Sequence, residues 1–563
     1  MGGERTGPGV TAAEAIVEVL ARADVRVVFG IPGVHNLALF EALERAGLRT
    51  VIARHEGAAA HAADGHARAS GRTGVVVTTT GPGAANTLTA TGEAWAASSP
   101  VLHLTTEVPT EILADGVRRR TLHQSPAQRE SFVPLVRTAL RAGAPGEAAG
   151  VVAEALRATR AGRPGPAYVE IPTDVLSGPG RPAGLADGWN RPAAGPPDPA
   201  AVGEAARLLA AAPTAAIWAG GGVIHAGPAA TEALLRLAER LAAPVVTTFM
   251  GRGAIPDDHP LALGLPPHEP EVAALLAASD VLLAAGTDLD GTMTQNQRLG
   301  LPSAIVRVDL EPLPAGMSDP YPAVPVAGDA ALALPALDRA LVALGVDRSG
   351  TDAERTAARL RALREAVRTD LRADPATAEA VRLLDGMRAG LPPQTVVVAD
   401  MCVAGYWAGG YLPVRAPRRL LYPVGWGTLG FGLPAAVGAA LAHAGPTLAV
   451  VGDAGLMYHV GELATAVQER LDLVVLVVND EGYGVLRFDE RRVHGRTFAT
   501  DLLVPDLERL AGSFGAACVR VDLDGLADAL RAAVAAGGVR VLELRAELTP
   551  PRTTSRRWPT RRR

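Results

Sequence analysis

Residues Leu448–Gly484 read LAVVGDAGLMYHVGELATAVQERLDLVVLVVNDEGYG. Two apolar, β-branched runs, Leu448–Val451 and Leu473–Val478, have the length of buried strands. Between them, apolar residues recur at the four-residue spacing typical of one helix face, at Leu463, Val467 and Leu471. The stretch therefore predicts a βαβ crossover whose two strands lie parallel, with their carboxyl ends side by side.

Each of these predicted strands ends in an acidic residue within a turn. Asp453 lies in Gly-Asp-Ala-Gly and Asp480 in Asn-Asp-Glu-Gly. Because a crossover fixes where both strand ends lie, the two carboxylates should reach one cleft. Two hard oxygen ligands beside a glycine turn suit a divalent cation that holds a diphosphate. The alternative is a pair of ordinary turn residues, since Asp-Gly turns are common.

Length and composition limit the classes of protein to consider. A chain of 563 residues should form about three domains. Its apolar content of 48% and net charge of −5 are typical of a soluble globular protein and do not suggest a nucleic-acid partner. All 54 basic residues are arginines, which excludes Schiff-base chemistry through a lysine.

The cysteines and the termini bear on the compartment. Two cysteines, Cys402 and Cys518, are too few for a zinc site or a disulfide framework, so a reducing cytoplasm is expected. No signal-peptide core and no apolar run of membrane-spanning length is found, so we expect no membrane association. The arginine-rich end, from Arg552 onward, is interpreted as a solvated tail.

The N-terminal third carries a second set of strand ends. Predicted strands Val25–Phe29, Thr50–Ala53 and Gly74–Thr79 alternate with helical patterns, which indicates a parallel α/β domain. Such sheets bind ligands at the carboxyl ends of their strands. The residues expected to face this crevice are Gly33, Glu56 and Gly81–Gly83.

These motifs resemble those of the thiamine diphosphate (ThDP) enzymes of the acetolactate synthase type. The family signature is Gly-Asp-Gly, a crossover and Asn-Asn; here Ala454 replaces the third residue and Asp480 the second Asn. Three more family motifs occur in order, Phe-Gly-x-Pro-Gly, Arg-His-Glu and Gly-Pro-Gly-x-x-Asn, at Phe29–Gly33, Arg54–Glu56 and Gly81–Asn86.

The resemblance implies an α/β protein of three doubly wound, mostly parallel domains. We expect a pyrimidine-binding domain over residues 1–178, a central domain over 200–346, a diphosphate- and Mg²⁺-binding domain over 375–548, and a basic tail over 549–563. A Gly/Pro-rich linker, about 176–199, separates the first two domains. The longer motifs of flavin-binding relatives are not evident around residues 265–295, which argues against FAD.

Site residues carry over by motif. Glu56 would hydrogen-bond the aminopyrimidine, and Mg²⁺ would be held by Asp453, Asp480 and the Gly482 carbonyl. Leu429 would support the bent cofactor, with the Gly427 carbonyl on its amino group. The remaining cofactor contacts are expected from Gly33, Gly81, Pro82, Asn86, Cys402, Val403, Gly452, Ala454, Gly455 and Tyr483. Many relatives have polar side chains where this chain has Val403 and Ala404, so backbone groups or other side chains must hold the diphosphate here.

The expected catalytic residues on the substrate side are His35 and Gln124, besides Glu56. Further candidates there are Asn36, His123 and Gln128. Because a histidine in a loop is often merely solvated, His35 is favoured for its place directly after a strand-end turn.

The implied reaction is ThDP- and Mg²⁺-dependent decarboxylation of a 2-oxo acid through an enamine intermediate. The product would be released as an aldehyde or ligated to an acceptor. The loop Gly30–Asn36 and residues 400–407 and 421–429 look like a decarboxylase-like branch that acts on guanidino 2-oxo acids. An acetolactate synthase proper and an inactive ThDP-fold scaffold are the alternatives, although the intact Glu56 and Asp453 argue against the latter. In this family two subunits share each cofactor, so a homodimer or homotetramer is implied.

Overall fold

Buried β-branched runs alternate with helices along the chain and assemble into three sheets. The computed structural model describes residues 10–114, 119–186, 188–189, 194–311 and 320–552. The strands are β1 Val27–Gly30, β2 Arg49–Ile52, β3 Gly74–Thr78, β4 Val101–Glu107, β5 Ala139–Arg141, β6 Ala167–Pro172, β7 Ala215–Ala219, β8 Val245–Thr247, β9 Val281–Ala285, β10 Ala304–Asp309, β11 Val324–Ala327, β12 Val396–Ala399, β13 Leu420–Leu421, β14 Thr447–Gly452, β15 Leu473–Asn479, β16 Ala517–Val521 and β17 Val539–Arg545.

Helices occupy most of the chain between the strands. They are α1 Ala12–Arg22, α2 Leu37–Arg45, α3 Glu56–Ser70, α4 Pro82–Ala85, α5 Leu88–Ala96, α6 Thr110–Ala114, α7 Gln128–Phe132, α8 Ala148–Ala158, α9 Thr173–Ser177, α10 Pro199–Ala211, α11 Gly221–Ala226, α12 Pro228–Leu241, α13 Pro270–Ala277, α14 Ala330–Ala343, α15 Thr351–Ala373, α16 Ala378–Gly390, α17 Val403–Tyr411, α18 Gly432–Ala442, α19 Asp453–Tyr458, α20 Glu462–Gln468, α21 Gly484–His494, α22 Leu507–Ser513 and α23 Leu526–Ala536, with a short 3₁₀ helix at Val133–Leu135. Every described helix is too short or too polar to cross a membrane.

The chain divides into two compact units. The first unit comprises Met1–Pro192, Gly425–Ala444 and His459–Leu473, and the second comprises Ala193–Val424, Gly445–Tyr458 and Val474–Arg563. Two segments of the expected third domain therefore group with the N-terminal residues. This grouping is not visible in the sequence, because it depends on contacts between distant segments.

The sheet of the first unit has the strand order β2-β1-β3-β4-β6-β5, and its ladders are parallel. The sheets of the second unit have the orders β11-β10-β9-β7-β8 and β13-β12-β14-β15-β17-β16. The α/β class and the mostly parallel pairing are as predicted. The central strands are buried on both faces, as expected for sheets covered by helices.

The opening crossover forms with one difference from the prediction. Strands β14 and β15 are neighbours in their sheet, so Asp453 and Asp480 follow adjacent strand ends. The prediction of one connecting helix was wrong, because two short helices, α19 and α20, form on either side of residues 459–461. The first begins at Asp453 itself, which places this carboxylate at a helix N-terminus.

The three glycines at 220–222 have a packing role in the second unit. The amides of Gly220 and Gly222 donate to the carbonyls of Ala285 and Gly286. A Cβ on Gly220 would lie 2.1 Å from the Gly286 oxygen. These glycines allow two strand-end turns to pack backbone to backbone.

The end of the described chain is anchored, so the prediction of a solvated tail starting at Arg552 was wrong for that residue. The Arg552 guanidinium donates to Glu269 at 2.7 and 3.0 Å, to Glu271 at 3.1 Å and to Asp370 at 2.8 Å. Glu269 is fully buried and also accepts from the Tyr411 hydroxyl. Burial of this carboxylate requires a partner. Residues 553–563 of the predicted tail lie outside the described ranges.

We predict that Arg552→Ala lowers the free energy of unfolding by about 1–3 kcal/mol, because it leaves the buried Glu269 carboxylate without its counter-charge. Urea titration of the purified chain would measure the change. As a matched control, Arg509→Ala removes an exposed arginine paired with Asp506 and should change stability by less than about 0.5 kcal/mol. Equal effects of the two substitutions would contradict the assigned role of Arg552.

Candidate active site

Glu56 is the first residue of α3 and follows the carboxyl end of β2. Its Oε2 accepts a hydrogen bond from the Asn86 side-chain amide at 2.9 Å. The helix N-terminus favours a carboxylate at this position. Arg54 contacts Gln468 and the Ile52 carbonyl, so its guanidinium is not used to pair with Glu56. The structure thus brings the two motif residues Glu56 and Asn86 together.

Two glycine turns lie beside Glu56. A Cβ on Gly33 would lie 2.8 Å from the Cβ of Thr79, so the turn after β1 packs against the end of β3. A Cβ on Gly83 would lie 3.5 Å from Glu56 Oε1. Gly81 has φ +71° and is followed by Pro82, which begins α4. The ends of β1, β2 and β3 therefore form one edge, as the sequence predicts.

His35 lies at the same edge. One ring nitrogen, Nδ1, is 2.8 Å from Thr80 Oγ1, and its ring centroid is 5.3 Å from that of His123. Burial lowers the pKa of His35, and the nearby His123 lowers it further. The imidazole is therefore neutral over a wider pH range than a solvated histidine.

Of the other substrate-side candidates, Asn36 and Gln128 are buried, whereas Gln124 lies in a loop. Asn36 is fully buried and binds the Gly33 amide and the Ile31 carbonyl, so it stabilises the turn. Gln124 accepts from the Thr121 amide at 3.3 Å within its own loop. Gln128 is buried and binds the Gly81 amide. The expectation of a substrate-facing side chain was wrong for Asn36 and Gln128, because both amides are used in internal hydrogen bonds.

The segment with Gly427 and Leu429 belongs to the same unit as Glu56. Its conformation is set by Thr428, whose amide and hydroxyl both donate to Glu93 Oε2, at 3.3 and 2.9 Å. His459 also contacts the Gly430 carbonyl, at 2.9 Å. Sequence reasoning missed Glu93, which lies on α5 without any local motif.

In the second unit the ends of β12 and β14 meet. Cys402 caps α17, and its Sγ accepts from the Gly405 amide at 3.3 Å. A Cβ on Gly452 would lie 3.3 Å from the Cys402 Cβ. Val403 and Ala404 are buried in the hydrophobic core, so only their amides remain for a diphosphate. Ala454 and Gly455 follow in α19.

Asp453 and Asp480 form a close acidic pair in this unit. The Asp480 amide donates to Asp453 Oδ1 at 3.4 Å, while Asp453 Oδ2 is buried without a hydrogen-bond partner among the described residues. Burial raises the pKa of both carboxyls; for Asp480 the value is about 7, with the charge of Asp453 as the second cause. Two crowded acidic groups with an unused oxygen fit a divalent cation. The described residues hold no group of three or more His, Cys, Asp or Glu arranged for a metal, so a third protein ligand would come from the backbone.

Arg487 is a second residue that sequence reasoning missed. It is buried in α21, and its guanidinium donates to the Asp480 and Glu481 carbonyls at 2.8 and 3.0 Å. The turn is further fixed by Asn479, which binds Glu543 and the Glu481 amide. Tyr483 is held through its amide, which donates to the Thr500 carbonyl. These contacts orient the turn of Asp480 and Gly482.

Three stretches of the chain match the domains of a known protein family. Residues 10–130 match the N-terminal TPP binding domain of thiamine pyrophosphate enzymes, residues 202–337 their central domain, and residues 400–544 their C-terminal TPP binding domain. The chain belongs to the thiamine pyrophosphate enzyme family. It is a ThDP-dependent enzyme of the group that contains acetolactate synthases and 2-oxo acid decarboxylases.

Relatives within this family align over almost the whole chain. "Probable 2-ketoarginine decarboxylase AruI" of Pseudomonas aeruginosa is 38% identical over 95% of this chain and 94% of the relative. "Probable acetolactate synthase large subunit" of Methanocaldococcus jannaschii is 33% identical over 90% of this chain and 87% of the relative. "Acetolactate synthase" of Mycobacterium bovis is 33% identical, over 91% and 84% respectively.

Glu107, the last residue of β4, should make the stability of the protein depend on pH. Burial raises the pKa of Glu107 to about 7, although the Val108 amide opposes this shift. The pKa of Glu107 in the folded protein exceeds the ordinary value of 4.5. The contribution of the protonated Glu107 to the free energy of unfolding is therefore complete below pH 4.5 and is lost as the pH rises through 7.

We therefore predict that Glu107→Gln stabilises the protein by about 1–3 kcal/mol at pH values above 7 and has little effect near pH 4.5. Urea unfolding across this pH range would measure the difference. Glu130→Gln, an exposed change in the same region, serves as the control and should give no such pH-dependent gain. A constant difference between Glu107→Gln and the unmodified chain would show that Glu107 does not titrate as stated.

Proposed function

We propose that this enzyme decarboxylates a 2-oxo acid and releases the aldehyde, with 2-ketoarginine as the first substrate to test. The observation that carries the proposal is the 38% identity to a relative named as a 2-ketoarginine decarboxylase, over 95% of this chain. The Glu56–Asn86 pair supports an active site rather than an inactive scaffold. Acetolactate synthesis is the second candidate, favoured by relatives of that name at 29–33% identity.

Bound ThDP supplies the carbanion and the electron sink that decarboxylation requires. Within this chain, Glu56 holds and returns a proton at Oε1, the oxygen that Asn86 does not bind. The Asn86 amide keeps the carboxylate in one orientation. The residues that would contact the cofactor on this side are Gly33, Gly81, Pro82, Asn86, Gly427 and Leu429.

His35 is the proposed proton donor and acceptor on the substrate side. Its Nδ1 is engaged by Thr80, so Nε2 is left to exchange a proton. The His123 ring lies against the same ring, with 5.3 Å between the two centroids. Gln124 stays a candidate for contact with the substrate.

Mg²⁺ is the proposed metal, held by Asp453, Asp480 and the Gly482 carbonyl. The buried, unpartnered Asp453 oxygen supports this proposal. The residues that would hold the diphosphate are Cys402, Val403, Gly452, Ala454, Gly455 and Tyr483, mainly through backbone amides.

A homodimer or homotetramer is part of the proposal. Large apolar side chains near the His35 edge are exposed, with exposed fractions of 81% for Val34, 55% for Leu37 and 70% for Leu122. Apolar surface of this kind beside a site is typical of an interface. Analytical ultracentrifugation would measure the oligomeric state, and a monomer would contradict the proposed homodimer or homotetramer.

The decisive experiment is product analysis of the chain with ThDP, Mg²⁺ and a panel of 2-oxo acids. We expect CO₂ and the guanidino aldehyde from 2-ketoarginine, and no acetolactate from pyruvate. Glu56→Gln should bind ThDP but turn over at least about 100-fold more slowly, because the proton acceptor is lost. Acetolactate from pyruvate would establish the synthase instead, and CO₂ from none of the acids would refute both candidates.

We predict that Asp453→Ala weakens Mg²⁺-dependent ThDP binding by at least about tenfold, or about 1.4 kcal/mol. Calorimetric titration of ThDP with Mg²⁺ and with a chelator would measure this effect. Asp524→Ala changes an exposed aspartate of the same unit and is the matched control. Unchanged affinity of Asp453→Ala would remove Asp453 from the metal site.

A further inference from the structure

Gln128 connects three strand ends through one side-chain amide. Its Oε1 accepts from the Gly81 amide at 2.6 Å, directly after β3. Its Nε2 donates to the Thr106 carbonyl in β4 at 3.0 Å and to Glu170 Oε2 in β6 at 3.2 Å. The side chain is 5% exposed, so nearly all of it is shielded from solvent. These three hydrogen bonds are all internal to the protein.

Glu170 determines which way the Gln128 amide points. This carboxylate is fully buried in β6 and accepts from the Tyr168 hydroxyl at 3.0 Å and from Arg141 at 2.5 Å. Glu170 accepts from the NH₂ group of Gln128, as the Thr106 carbonyl does, and the Gly81 amide can only donate, so all three neighbours favour the same amide orientation. The amide oxygen is then directed to the Gly81 amide. A buried carboxylate is costly unless it is paired, and Arg141 supplies the counter-charge.

The Gly81 turn leads directly to Glu56. Gly81 is the N-cap of α4, and Asn86 is its C-cap. The Ala85 amide donates to the Gly81 carbonyl at 2.9 Å and the Asn86 amide to the Pro82 carbonyl at 3.0 Å, so the short turn links the positions of its two caps. The Asn86 side chain in turn donates to Glu56 Oε2. One short turn thus joins the Gln128 amide to the carboxylate at the active edge.

We propose that Gln128 is a positioning residue for Glu56, acting through the Gly81–Asn86 turn, and that Glu170 and Arg141 fix the orientation of its amide. The inference rests on the proposed role of Glu56 in proton transfer. A residue that only contributed to folding would change stability and leave the pH dependence of turnover intact. The two roles are therefore separable.

Gln128→Glu is the informative substitution, because it keeps the shape of the side chain. The introduced carboxyl can donate to Glu170 or to the Thr106 carbonyl only when it is protonated. When the introduced carboxyl is ionised, it faces two hydrogen-bond acceptors, Glu170 and the Thr106 carbonyl, without a proton to donate to either. The charged and titratable groups around it are Glu170, Glu107, Glu130, Tyr168 and Arg141. The three carboxylates favour its protonated form, and Arg141 opposes them.

The experiment measures kcat and KM of Gln128→Glu and the unmodified enzyme from about pH 5.5 to about pH 8.5 with ThDP, Mg²⁺ and the 2-oxo acid found active. We expect kcat within about threefold of the unmodified enzyme at the acid end and at least about tenfold lower at the basic end, with KM changed less than about twofold. Gln468→Glu makes the same change at an exposed glutamine and should follow the unmodified enzyme at every pH. Gln128→Leu, which cannot form the hydrogen bonds, should be slow throughout.

A ratio of kcat values that is the same at every pH, or an unimpaired Gln128→Leu, would overturn the inference. If the Gln128 variants do not fold, Tyr168→Phe removes one donor to Glu170 and should lower kcat several-fold at unchanged KM; unchanged kcat would overturn the inference equally. Failure of the proposed function is distinguishable, because the unmodified enzyme would then form acetolactate from pyruvate, where the same kcat comparison applies, or would release no CO₂ from any of the acids. If no CO₂ is released, thermal unfolding of the cofactor-free Gln128→Glu chain still tests the hydrogen bonds of Gln128. Its unfolding temperature should then fall with rising pH relative to that of the unmodified chain.

Discussion

The first unit depends on a backbone-to-backbone contact between α3 and α18. A Cβ on Gly65 would lie 2.1 Å from the Ala435 oxygen, and a Cβ on Gly438 would lie 1.8 Å from the Ala62 oxygen. Only glycine permits so close an approach. The first of these helices begins with Glu56, and the second follows the segment of Gly427 and Leu429. The crossing therefore brings two distant motifs into one compact unit.

Buried charge reinforces this contact. Asp64 and Arg68 of α3 are both buried and form an ion pair at 2.5 Å, and the Arg68 guanidinium lies 4.9 Å from the centre of the Phe431 ring. Arg68 is also 3.6 Å from Glu93, the carboxylate that binds Thr428. Removal of one member would leave a buried charge without compensation.

The second unit instead places two acidic residues close together, at the ends of β14 and β15. There the two carboxyls of Asp453 and Asp480 lie close together, and burial raises the pKa of each. The Arg487 guanidinium binds the carbonyls of the turn and the Asp501 carboxylate, and its charge offsets only part of the rise in the pKa of Asp480. The backbone is thus fixed, while Asp453 Oδ2 has no hydrogen-bond partner among the described residues. Such a site has unfavourable electrostatics that a cation would relieve.

The strand ends that carry the motifs could be predicted from the sequence, because parallel α/β sheets place motif-bearing turns at one edge by local rules. Strand β3 begins at its predicted residue, Gly74, and ends one residue before its predicted end. The partners of the site residues could not be predicted. Glu93 and Thr428 are 335 positions apart, and Arg487 and Gln128 stand in no motif. Periodicity reports only which face of an element is buried, whereas the choice of hydrogen-bond partner is made by contacts that form when distant segments pack.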